Sequence, residues 1–139
     1  MTFPEVESLI PHRGAHRVVG RVVSWEGACL VAHGEFSPTD LLGHFPGNPV
    51  VPGVTMIEGI AQALACLAAL SGETGQAVLT GVEKARFRGF AVAPCTLAFH
   101  VEVTERRFGV TWARGKVMLD GRTLATVTLQ AAVLPPASV

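Results

Sequence analysis

Charge is scarce in this chain. Asp, Glu, Lys and Arg together make up 16% of its 139 residues, and 11 basic residues balance 11 acidic ones. Neutrality of this kind removes the bulk electrostatic footprint of a nucleic-acid binder. Cysteine is scarce too: Cys29, Cys66 and Cys95 are odd in number, widely spaced and form no Cys-x-x-Cys pair. A disulfide framework or a zinc site is therefore not expected, and reduced thiols in a core are. There are no repeats and no low-complexity runs. The N-terminus carries Glu5 and Glu7 and lacks an apolar stretch, so no secretory signal is expected and the cytoplasm is the expected location. The longest apolar run, Val54 to Leu70, has only Thr55, Glu58 and Gln62 as notably polar members. It falls short of the ~20 apolar residues a membrane span needs, and a carboxylate near its start disfavours insertion.

What the chain does have is apolar surface. Hydrophobic residues reach 49%, enough for one domain over residues 1–139 with a single core, and oily enough to expect an oligomer. A helix apolar all round is expected at the centre of that core, ended by Ser71-Gly72. Strands are expected at Val18 to Val23, Ala28 to Phe36, Ala77 to Phe90, Thr96 to Thr104, Val110 to Leu119 and Arg122 to Val133. Asp120-Gly121 is a hairpin signal. Residues 135–139 read as a frayed tail. The class is α+β, with an antiparallel sheet of about six strands wrapped round one long central helix.

The most informative segment runs from Gly43 to Gly53 and straight into the helix. Seven of its eleven residues are Gly, Pro or Asn, which fixes a tightly turned path. His44 stands at its start. Thr55, Glu58 and Gln62 follow at spacings of three and four, on one helix face. A carboxylate in so apolar a helix must meet a partner, a cavity or water. A structural Glu58–Gln62 hydrogen bond at a subunit interface and a catalytic acid are both open readings on spacing alone. The loop favours the second: it supplies a base, and it leaves the N–H groups near Gly53 and Val54 at the positive end of the helix. Such a helix end suits a carbonyl oxygen that gains negative charge.

Gly43-His44-Phe45-Pro46-Gly47-x-Pro49-x-x-Pro52-Gly53-Val54-x-x-x-Glu58-x-x-Ala61-Gln62 resembles the signature of the (3R)-hydroxyacyl-[acyl-carrier-protein] dehydratases of bacterial fatty acid synthesis, which have the hot-dog fold. Leu9-x-Pro11-His12-Arg13, Arg21-Val22 and Ala85-Arg86-Phe87 extend the likeness over nearly the whole chain. The resemblance implies that His44 removes the α-proton of an acyl thioester while Glu58 donates to the departing β-hydroxyl. Gln62 would orient Glu58, and the N–H groups of Gly53 and Val54 would bind the thioester oxygen. Phe45, Pro46 and Pro52 would support the loop and the acyl tunnel. It also implies a homodimer, possibly a trimer of dimers, with each site built from two subunits. No metal or organic cofactor is implied; the acyl group would arrive on the phosphopantetheine of an acyl carrier protein.

Lys84, Arg86 and Arg88, with Arg106 and Arg107, are candidates for the carrier's docking surface, against the plainer reading of solvated strand edges. A thioesterase on the same fold, or a non-catalytic acyl-binding subunit, are the alternatives. The chain departs from the resembled pattern at Gly14-Ala15-His16, Gly20 and Ala93-Pro94-Cys95, which leaves room for specialised polyene or other secondary lipid synthesis. His12 and His16 are four apart, but Pro11 and Gly14 argue against a metal pair on a helix. His33 and His100 are expected to be ordinary strand histidines, and Trp25 and Trp112 packing residues.

Overall fold

A computed structural model of the chain describes residues 2–13, 17–41 and 47–135, with the side chain of residue 40 excepted. A one-turn helix α1 (Val6–Leu9) precedes strands β1 (Arg21–Glu26) and β2 (Cys29–Phe36). After a short 3-10 turn (Pro38–Leu41) comes helix α2 (Gly53–Leu70). Four strands follow: β3 (Gln76–Phe87), β4 (Cys95–Arg107), β5 (Val110–Leu119) and β6 (Arg122–Leu134). They form one six-stranded sheet in the order β1-β2-β4-β5-β6-β3, antiparallel throughout. This is the helix-in-a-sheet hot-dog architecture that the resemblance implies.

Period-two alternation decides which face of the sheet meets α2. Leu30 and Ala32 of β2 turn inward, as do Leu97, Phe99 and Val101 of β4 and Ala113 and Val117 of β5, joined by Val127 and Leu129 of β6. They bury Met56, Ile60, Ala63, Leu64 and Leu67 of α2. Each large side chain so buried contributes about 1.5–3 kcal/mol. Helix and sheet approach closely because two glycines allow it. A Cβ on Gly59 would overlap the Phe99 ring, and one on Gly115 would overlap the Ile60 side chain. The C-terminus of α2 closes where the sequence places it. Gly72 adopts φ +91, its N–H donates to the Ala69 carbonyl, and the Glu73 N–H donates to that of Ala68. That is a Schellman cap.

The differences from expectation have local causes. Strand β1 starts at Arg21 rather than Val18, because the Val18 and Val19 N–H groups donate to the Gln62 side chain instead of to a strand. Strand β3 ends at Phe87; the Arg88 N–H still reaches the Leu124 carbonyl, but Phe90 stands in solvent. Strand β4 runs on to Arg107, and its hairpin to β5 turns at Phe108-Gly109, both at positive φ. The Asp120-Gly121 turn is also at positive φ in both residues, as its sequence signal requires. The three thiols do not share a core. Cys66 is buried and its thiol is pushed up to about 12 by that burial, whereas Cys29 is exposed on the outer face of β2. Residues 136–139 of the expected tail lie outside the described residues.

On the outer face of the sheet, His33 and His100 are both held below the usual histidine range. Burial is the first cause for each; Arg21 adds to it at His33, and Lys116 and then His33 at His100. Folding therefore favours their neutral forms. Their contribution to stability is complete above the ordinary value of 6.5 and is lost as pH falls below it. The melting temperature should drop below about pH 6.5, and a His33→Gln/His100→Gln double variant should drop less. An equal drop in both proteins would assign the effect to other groups. Gly59→Ala should cost about 1–3 kcal/mol in urea unfolding, because the Phe99 ring blocks any added methyl group. Phe99→Leu should recover part of that loss, and no loss at all would contradict the packing.

Candidate active site

The start of α2 is an open end. Pro52 occupies the N-cap position in an extended conformation, and no side chain caps the helix. Its carbonyl accepts from the Thr55 and Met56 N–H groups at 3.0 and 3.3 Å. Among the described residues nothing accepts from the Gly53 or Val54 N–H. Two donors at the positive end of an 18-residue helix are thus available to an incoming oxygen. Glycine at position 53 lets the Phe87 ring of β3 lie close: a Cβ there would stand 3.0 Å from it. The approach to this helix end is held by the strand-like segment after β3. Val51 N–H donates to the Ala91 carbonyl and Ala93 N–H to that of Pro49, both at 2.9 Å, while Val51, Ala91 and Ala93 are buried. These bonds hold residues 49–51, while residues 43–46 of the turned segment read in the sequence lie outside the described residues.

About two and a half turns further on, Gln62 is 1% exposed and is the one polar side chain in the core among the described residues. Its Oε1 accepts from the Val18 N–H at 2.8 Å and the Val19 N–H at 3.1 Å, and its Nε2 donates to Glu58 Oε1 at 2.9 Å. The predicted Glu58–Gln62 pair therefore forms. It also fixes the segment that leads into β1. Glu58 is less enclosed than its apolar helix suggests: its side chain is 43% exposed in the single chain. The requirement that a carboxylate in so apolar a helix meet a partner, a cavity or water is satisfied by Gln62 and by solvent together. The carboxyl stands at the edge of the core, on a face that the chain itself leaves open.

His12 is the residue that sequence reasoning missed. Its Nε2 lies 3.5 Å from Glu58 Oε1, although its position in the sequence suggested only a poor metal pair with His16. The signal available was its place in Pro11-His12-Arg13, inside the resembled motif. His44, Phe45 and Pro46, like His16, lie outside the described residues. No cluster of metal-ligating side chains occurs among those described.

The basic candidates separate. Arg88 follows Phe87, whose ring covers Gly53, so it belongs to the open end of the helix. Lys84 and Arg86 pair in register with Thr128 and Thr126 of β6. Lys84 faces a groove of about 480 Å³ on the outer side of the sheet, with His100, Glu102, Arg114 and Lys116. That groove lies across the sheet from Glu58 and takes no part in the site. Arg106 pairs with Glu73 beyond the C-terminus of α2 at 3.3 Å. Arg106 and Arg107 therefore stand at the far end of a helix about 27 Å long, and their candidacy beside the site falls. Arg107 lies instead over the Phe108 and Trp112 rings, 5.8 and 6.0 Å from their centres.

Comparison with known proteins agrees with this fold. The profile of the FabA-like domain matches residues 11–128. A 3-hydroxyacyl-[acyl-carrier-protein] dehydratase FabZ from Anaeromyxobacter sp. (strain Fw109-5) is 35% identical over 140 residues, covering 94% of this chain and 89% of its own. Among solved structures, the dehydratase heterocomplex ApeI:P from Xenorhabdus doucetiae superposes with a TM-score of 0.85 at 16% identity, over 97% of this chain and 94% of that one. The PaaI protein from the phenylacetic acid degradation operon of E. coli gives 0.68 at 16% identity, over 81% of each. At such identities the two structures speak to the fold alone.

Gln62→Leu tests the geometry directly. It removes the acceptor of two backbone N–H groups and should cost about 2–4 kcal/mol in urea unfolding. A cost below about 0.5 kcal/mol would mean that water serves those groups equally well.

Proposed function

The chain belongs to the FabA-like domain family, and from that premise we propose that it dehydrates (3R)-3-hydroxyacyl thioesters carried on acyl carrier protein to trans-2-enoyl thioesters. The observation that carries this reading is the junction at Gly53–Gln62: an uncapped helix start and a carboxyl group held by an amide one turn away, on the same helix. Bound there, the thioester oxygen accepts from the Gly53 and Val54 N–H groups, which stabilises the negative charge it gains as the α-proton leaves. His44 takes that proton. The β C–O bond breaks, its electrons leave with the oxygen, and the Glu58 carboxyl supplies the proton that completes water. Gln62 keeps Glu58 turned toward the substrate, while Phe45, Pro46 and Pro52 shape the loop beside it. Both proton movements are served by side chains, so neither a metal nor an organic cofactor is needed. The setting is fatty acid synthesis or a specialised lipid branch, in the cytoplasm.

The working unit in this proposal is a homodimer, or a trimer of dimers, in which His44 of one subunit serves Glu58 of the other. Three features support it. Strand β3 is an edge strand with unpaired backbone groups and exposed Leu79 and Val82. Apolar side chains crowd the open end of α2, with Val54 73% and Phe90 79% exposed beside Phe87 and Val92. Glu58 itself is half open to solvent until another surface covers it. The carrier docks through Arg88, Arg86 and Lys84, the cations on the strand whose end reaches Gly53.

His44→Ala and Glu58→Gln should each lower the dehydration rate by about 10²–10⁴, followed as enoyl thioester formation. Wild-type rates in both variants would remove the assigned roles, and release of free thiol by the wild type would indicate thioester hydrolysis instead. Reversing charge at Arg86 and Arg88 should raise KM for the carrier-bound substrate while leaving a free pantetheine thioester unaffected. An equal change with both substrates would place the cations elsewhere in the reaction.

A further inference from the structure

We infer that His12 is a positioning residue for the acid, and that it assigns the acidic proton to one oxygen of Glu58; the mechanistic half of this rests on the function proposed above. Two side-chain nitrogens approach the same atom, Gln62 through a hydrogen bond and His12 at ion-pair range. Gln62 Nε2 and His12 Nε2 approach Glu58 Oε1 at 2.9 and 3.5 Å, and among the described residues nothing bonds Oε2. A carboxyl oxygen that accepts from one side chain and faces a second nitrogen is the carbonyl-like oxygen. The proton belongs on the other one, Oε2, which is left for the substrate.

The tautomer of His12 follows from its surroundings. Nδ1 is buried and has no hydrogen-bond partner among the described residues. A proton there would bury an orphan N–H, at about 1–3 kcal/mol. It would also set the bare lone pair of Nε2 against Oε1. With the proton on Nε2, the ring donates to Glu58 and buries only an acceptor.

The segment that carries the ring is tied down by its neighbour, which suits it to this task. The Arg13 guanidinium donates to the carbonyls of Ile10 and Glu7 at 2.7 Å each and of His12 itself at 2.8 Å. Those bonds fold the His12 segment against the end of α1. Further along the chain, the Gln62 amide holds Val18 and Val19. The same glutamine therefore anchors the far end of the segment that carries His12 and shares its target oxygen.

In the reaction, Oε2 gives its proton to the β-hydroxyl oxygen as the C–O bond breaks, so water departs and a carboxylate remains. The charge on that carboxylate is met at once by two donors already directed at Oε1. This help exists only once charge develops, so it acts on kcat rather than on substrate binding.

His12→Leu should lower kcat about 10–100-fold with KM changed less than about twofold, and His12→Gln, which can present an amide N–H to Oε1, should recover most of the rate. Unchanged kcat in His12→Leu alongside an inactive Glu58→Gln would overturn the assignment. So would a pure KM effect, or equal losses in the two His12 variants. A second readout does not depend on activity. Nitrogen-15 NMR of histidine-labelled protein, with the His12 signals identified by their loss in His12→Gln, should show a protonated Nε2 and a bare Nδ1. A proton on Nδ1 would overturn the inference, whether or not the dehydration reading stands.

Discussion

One buried amide organises this molecule. Gln62 sits buried in a largely apolar helix and cannot be left unsatisfied there without a cost of several kcal/mol. It is satisfied in two directions at once, toward the backbone at Val18–Val19 and toward Glu58. The first bond pair sets where β1 begins, and the second sets where the acid points. Fold and chemistry thus share a side chain. Losing it would disturb the path of the N-terminal segment as well as the carboxyl, which is why its effects on stability and rate should travel together.

Around that amide the rest of the fold supplies rigidity. Close contact between α2 and the sheet, made possible by Gly59 and Gly115, leaves the helix little freedom to shift or rotate. Its open start and its carboxyl are therefore held at a fixed separation, which is what electrostatic stabilisation of a developing charge requires. Yet the same helix face is unfinished. Glu58 is partly in solvent, apolar side chains surround the helix start, and β3 has a free edge. In the proposed function a second copy of the chain completes this face.

Much of this was legible in the sequence. The apolar run from Val54 to Leu70 announced a central helix, Ser71-Gly72 its end, and Asp120-Gly121 a hairpin, because each signal is local and its physics is decided within a few residues. The i, i+4 spacing of Glu58 and Gln62 was equally local. What could not be read depended on distant partners. The late start of β1 comes from a side chain 44 residues away. The approach of His12 to Glu58 depends on how the N-terminal segment crosses the helix. The exposure of Glu58 and Cys29, and the remoteness of Arg106 from the helix start, follow from which edge and which pole each residue occupies. Composition and periodicity carry no such information.

The central claim is that a working site takes its base from one subunit and its acid from another. Mixing His44→Ala with Glu58→Gln under conditions of subunit exchange tests it most directly. Each variant alone should be inactive, and random pairing at equal amounts should restore about a quarter of wild-type activity, since half the dimers are mixed and each holds one intact site. Absence of any recovery, with exchange confirmed by native mass spectrometry of differently labelled subunits, would contradict it.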